Sequence, residues 1–113
     1  MSIIITAQGR EKSSLMDQYF GRAQNFVLWN ENDNSIETID NSKNKAAAHG
    51  AGIQAGQLVV DSGADVVISG HVGPKAASVL KAAGKKVFLG KKDKSLEENY
   101  RLFKDGELEE QQL

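Results

Sequence analysis

The stretch HGAGIQAGQLVVDSGADVVISGHVGPKA, residues 49–76, decides the fold of this chain. Ala51, Ala55, Leu58, Val59 and Ser62 recur at the spacing of one helix face. Gly63 ends that helix, because glycine takes the left-handed conformation that closes a helix. Asp65-Val66-Val67-Ile68 is a short apolar run of the kind buried on both faces of a parallel sheet. Gly70-His71-Val72-Gly73-Pro74 follows as a tight loop, with Pro74 suited to the first position of a new helix. Helix and strand thus alternate as in βαβ crossovers. Each helix starts beside a glycine and a histidine: His49-Gly50 in one case, His71 and Gly73 in the other. These are the two histidines of the chain.

Upstream, Ile3-Ile4-Ile5-Thr6-Ala7 is a β-branched run and forms a buried first strand. Arg10 to Asp17 is polar and reads as a loop. Asn25 to Trp29 and Ser35 to Asp40 are the arms of a hairpin around Asn30-Glu31-Asn32-Asp33-Asn34, whose side chains favour Asx-turns. Asn41 to Ala48 reads as a mobile connection. Downstream, Ala76, Val79, Leu80 and Ala83 share a helix face that ends at Gly84, and Val87-Phe88-Leu89 is the last strand. Ser95 with Glu98 is a capping box for a final helix with Leu96, Tyr100 and Phe103 facing inward. The pattern predicts an α/β fold: a five-stranded mixed sheet in the order 3-2-1-4-5, flanked by helices, with strand 2 opposing the others. The domain spans residues 1–106, and the acidic segment 107–113 is expected to fray.

A chain of 113 residues holds one domain with a core of its own. Its net charge of −1 argues against general nucleic-acid binding. No run is long enough to span a membrane, and Met-Ser-Ile-Ile-Ile-Thr is too short and uncharged for a signal peptide, so a cytoplasmic location is expected. With no cysteine, any bound metal must use imidazole, carboxylate, backbone groups or its own inorganic ligands.

The predicted strand order gathers the first loop, the His49 segment, the His71 loop and the Lys91 loop at one sheet edge. Two helix N-termini there aim free N–H groups and positive dipole ends at one space, which suits an anion. Arg10, Lys12, Arg22, Lys43, Lys45, Lys75, Lys91, Lys92 and Lys94 fall in its loops, against Glu11, Asp17, Asp40 and Asp93. Plainer roles stand beside the functional ones. His71 reads equally as a turn residue, His49 as a helix-start residue, and Arg22 as a brace on Asp17 or a carbonyl. Gly50, Gly52 and Gly56 read equally as points of close helix packing.

Asp17-Gln18-Tyr19-Phe20-Gly21-Arg22-Ala23, the HGAGIQAGQLV helix and the GADVVISGHVGPKA segment resemble the dinitrogenase iron–molybdenum cofactor biosynthesis family. The resemblance runs from about Ile3 to Gly106. It implies a ribonuclease H-like fold and a non-enzymatic carrier or scaffold of an anionic metal–sulfur cluster, of iron–sulfur–molybdenum or molybdenum–copper sulfide type. Its implied partners are cluster donor and acceptor proteins, without nucleic acid or membrane, and a homodimer is left open. On this reading His71 and His49 contact metal, and Arg22, Gly50, Gly52, Gly73 and Lys75 hold the cluster anion. The chain departs from the pattern at Tyr19, where many members carry histidine, and in lacking the cysteine that some carry near the position of His71. A nuclease is excluded, because a ribonuclease H-like active site needs a carboxylate on the first strand and Ile3 to Gln8 carries none. A binder of a small phosphorylated metabolite or nucleotide is the alternative, although no Walker-type loop is present.

Overall fold

Ile3, Ile4 and Ile5 are all fully buried, yet they face two different cores. Successive strand residues point to opposite sides, so an uninterrupted apolar run marks a strand covered on both faces. That run makes β1 (Ser2–Ala7) an inner strand. The computed structural model describes residues 1–47 and 49–113. Around β1 lie β2 (Asn25–Asn30), β3 (Ser35–Asp40), β4 (Val66–Ser69), β5 (Lys86–Leu89) and β6 (Glu109–Gln111), in the order β3-β2-β1-β4-β5-β6. β1, β4 and β5 are parallel, while β2 opposes β1 and β3 opposes β2, as expected.

The sheet has six strands, not five, because the acidic segment expected to fray forms β6. Glu109, Glu110 and Gln111 pair antiparallel with Leu89, Phe88 and Val87, and Leu108 is buried just before them. Backbone pairing and one apolar anchor hold a strand whose own composition disfavours one. The connection after β3 also differs from expectation: Ser42–Lys45 form a short helix, α1, while Ala48 lies outside the described residues.

α2 (Ala51–Ser62) and α3 (Pro74–Ala82) pack on one face, where Ala55, Val59, Ala76 and Leu80 meet Ile4, Phe26, Val67 and Val87. α4 (Leu96–Lys104) covers the other, with Leu96, Tyr100 and Phe103 against Ile3, Ile5, Trp29 and Ile68. The expected capping box is complete: the Glu98 N–H donates to Ser95 Oγ at 3.1 Å, and the Ser95 N–H donates to Glu98 Oε1 at 3.0 Å. Trp29 stacks on Tyr100 with ring centroids 4.4 Å apart and donates to Asn34 Oδ1, which joins α4 to the hairpin.

On that same face the Tyr100 hydroxyl donates to Glu31 Oε2 at 2.6 Å, and Lys104 pairs with this carboxylate at 2.9 Å. The Tyr100 bond, helped by Lys104, holds Glu31 below the usual carboxylate range. Its accepting carboxylate, with burial, pushes Tyr100 up to about 12. A lowered carboxylate stabilises the fold above its ordinary pKa, and that contribution is lost as pH falls through the lowered value. A raised phenol stabilises below about 10, and its contribution is lost as pH climbs toward about 12. Tyr100→Phe is expected to lower stability by about 1 kcal/mol at pH 7. The gap to the parent should narrow near pH 3, and urea unfolding at the two pH values checks this.

Candidate functional site

The N-termini of α2 and α3 open onto one cleft of about 600 Å³. All seven residues singled out in the sequence line it: Arg22, His49, Gly50, Gly52, His71, Gly73 and Lys75. Gly50 caps α2 with a φ of 75°, a left-handed conformation natural to glycine, and the first intrahelical bond runs from the Gln54 N–H to the Gly50 carbonyl. The N–H groups of Ala51, Gly52 and Ile53 therefore have no acceptor within the helix. Pro74 opens α3, so Lys75 and Ala76 carry the corresponding N–H groups there. The two histidines are exposed, as are Arg22 and Lys75.

The Phe20–Arg22 segment forms the opposite wall because glycine faces glycine. A Cβ on Gly21 would lie 3.1 Å from the Cα and N of Gly52, so any side chain would lift this wall from α2. Arg22 has a structural task as well, donating through Nη1 to the carbonyls of Lys45 and Ala47 at 2.9 and 2.8 Å. The brace is a carbonyl one, not Asp17. Beyond Tyr19 the cleft continues into a groove lined by Arg22, Lys45 and Lys92, with Asp17 as the one acidic residue among them.

The positive edge is thus narrower than the loop sequences suggest, with Arg22, Lys45, Lys75 and Lys92 along it. Lys12 is drawn elsewhere, donating to the Asn34 carbonyl at 2.9 Å and lying 4.8 Å over the Trp29 ring. Lys94 reaches Glu98 at 4.0 Å on α4.

Sequence reading misses the parts that hold these loops. Met16 is fully buried inside the segment read as a polar loop, which folds back on β1 through Gln8 N–H to Leu15 O and Asp17 N–H to Thr6 O. Carboxamides tie the remaining loops to the main chain. Asn41 donates to Gly21 O and Ala23 O, while Asn99 donates to Lys91 O and Ser95 O and accepts from the Lys91 N–H. Gln111 exchanges bonds with Val72. A carboxamide in a loop-flanking position is the signal such residues leave in a sequence, and it is a weak one.

The sequence profile of the dinitrogenase iron–molybdenum cofactor family matches residues 1–106. The chain belongs to this family. Among solved relatives of the family fold, the apo form of the orange protein from Desulfovibrio gigas is 37% identical. It superposes with a TM-score of 0.93, over 97% of this chain and 92% of that one. The NMR structure of a NifB-like protein from Thermotoga, assigned to the DUF35 family, is 32% identical with a TM-score of 0.84. That match covers 96% of this chain and 91% of the other. An uncharacterized protein from Methanocaldococcus jannaschii is 30% identical over 96 residues, which are 83% of this chain and 80% of that protein. No helix among the described residues is long and apolar enough to cross a membrane.

Proposed function

We propose that this protein is a non-enzymatic carrier or scaffold that binds an anionic metal–sulfur cluster in the cleft between the α2 and α3 N-termini. One observation carries the reading: two helix N-termini and both histidines converge on a single cleft. Helix N-termini stabilise negative charge, and imidazole is a ligand for molybdenum, iron and copper. Among the described residues no three of His, Cys, Asp and Glu gather to hold a metal ion. A bare ion would therefore lack a protein ligand set, whereas a cluster brings its own sulfides and needs only an imidazole and N–H donors. His71 then touches metal, with His49 beside it. Gly50, Gly52 and Gly73 contribute backbone N–H groups, and Arg22 and Lys75 balance charge.

Membership of the family supports a cluster of the iron–molybdenum precursor or molybdenum–copper sulfide kind, passed between donor and acceptor proteins. The β3-β2-β1-β4-β5 order agrees with a ribonuclease H-like fold. A phosphorylated metabolite would use the same helix termini but gives no reason for two imidazoles at the rim.

The test is anaerobic addition of tetrathiomolybdate and copper(I), followed by desalting. A visible absorption band that travels with the protein is expected, and a colourless protein after desalting would sink the reading. Binding should also weaken as salt rises, by roughly threefold or more between low and half-molar salt, because exposed charge is screened over about 10 Å at 0.1 M. Affinity that ignores salt would point to metal coordination without help from the positive edge.

A further inference from the structure

Gln111 lies in β6, beyond the residues that the family profile matches. Its carboxamide meets the backbone of Val72 twice. The Val72 N–H donates to Gln111 Oε1 at 2.9 Å, and Gln111 Nε2 donates to the Val72 carbonyl at 2.8 Å. Val72 stands between His71 and Gly73, with its side chain 1% exposed in the core beneath α2 and α3.

Peptide planarity gives this pair of bonds its reach. The Val72 N–H lies in one plane with the His71 carbonyl and Cα, and the Val72 carbonyl lies in one plane with the Gly73 N–H. A side chain that holds both backbone groups of Val72 therefore sets both planes, one carrying His71 and the other the Gly73 N–H. Gln111 is itself held. It pairs with Val87 on β5, Leu108 is buried among the residues on the α4 face, and Leu113 packs against the opposite core.

We propose that Gln111 is the positioning residue of the cleft, fixing the peptide planes on either side of Val72 so that His71 and Gly73 are presented in one arrangement. The consequence for ligand binding rests on the cluster reading, whereas the hold on the loop does not. The task needs a donor and an acceptor on one side chain of this length. Leucine offers neither, and an ionised glutamate offers only acceptors.

The test uses Gln111→Leu and Gln111→Glu, with Gln112→Ala as an exposed neighbouring control. Amide hydrogen exchange is read by NMR in the ligand-free protein. In Gln111→Leu the Val72 amide should exchange about tenfold faster than in the parent, with Ile68 and Val87 within about twofold. In Gln111→Glu the carboxylate can still accept from the Val72 N–H. At neutral pH, however, its other oxygen faces the Val72 carbonyl with no proton between them, and this repulsion should open the pair and speed Val72 exchange. The variant should approach the parent, compared at the same pH, as the carboxyl protonates and regains a donor. A merely structural side chain would show no such pH profile.

Affinity for tetrathiomolybdate with copper(I) should fall in parallel, and Gln112→Ala should match the parent throughout. Unchanged Val72 exchange in Gln111→Leu would overturn the hold on the loop. Fast Val72 exchange with parental probe affinity would overturn the positioning role. If strand amides loosen as much as the loop in Gln111→Leu, the pH recovery of Gln111→Glu decides, and its absence overturns the proposal. If the parent itself binds no probe, the cluster reading fails, and the exchange ratio alone decides whether Gln111 fixes the loop.

Discussion

Gly70→Ala is expected to lower stability by about 3 kcal/mol, at the upper end of what overpacking usually costs. A Cβ on Gly70 would fall on the Gln18 carbonyl oxygen and lie 3.0 Å from Gln18 Cα. The obstacle is main chain, so it cannot move aside as a side chain would. Its segment is also tied down: the Asp17 N–H donates to Thr6 O at 3.0 Å, and Thr6 Oγ1 donates to the Asp17 carbonyl at 2.6 Å. The Tyr19 N–H closes an Asx-turn on Asp17 Oδ1 at 2.9 Å. Making room for a methyl group means breaking some of these bonds and shifting Tyr19, which lines the cleft. Gly73→Ala is the control. It has a φ of −66°, meets nothing within 4 Å, and should stay within about 0.5 kcal/mol of the parent. Urea unfolding of the two variants measures the difference. Equal midpoints would show that the Gln18 segment yields easily and that Gly70 is not required for close approach.

The features legible in the sequence are those encoded locally. Ser95 and Glu98 specify a cap through bonds three residues apart, and Gly63 ends α2 with a φ of 78°. The strand order followed from an apolar β1 and two crossovers, and that order brings both histidines to one cleft. What stayed hidden is set by partners distant in the chain. Glu109-Glu110-Gln111 is a strand only because β5 offers an open edge beside it. Gln111 meets Val72 across 39 residues, and Asn41 meets Ala23 across 18, distances at which no spacing rule operates. Met16 sits alone in a polar stretch and is buried by neighbours from elsewhere, Gly90 among them. Lys12 looked like part of the positive edge by its loop, but Trp29 and the hairpin carbonyl attract it away. The cleft was readable as a place, and its bracing was not.

His71→Ala is expected to lower retention of a molybdenum–copper sulfide cluster by about 10–100-fold, the scale on which metal sites respond to loss of a supporting group. The side chain is exposed, so stability should stay within about 0.5 kcal/mol of the parent. His71 is separated from the buried strand β4 by Gly70 alone, and Gln111 holds the backbone of the residue after His71. If this imidazole is a ligand, its backbone would not first have to be ordered. His49 is exposed at the approach to α2, beside a left-handed Gly50, and no hydrogen bond ties its backbone in the same way among those described. His49→Ala should therefore cost less than His71→Ala, and the double variant should retain only what helix N-termini and Arg22 or Lys75 can hold. Desalting after reconstitution, with metal analysis and the visible spectrum of each variant, ranks the three. If His71→Ala keeps as much cluster as the parent, with an unshifted band, then no imidazole at this position touches metal. The helix N-termini and the positive edge would in that case be the whole of the site.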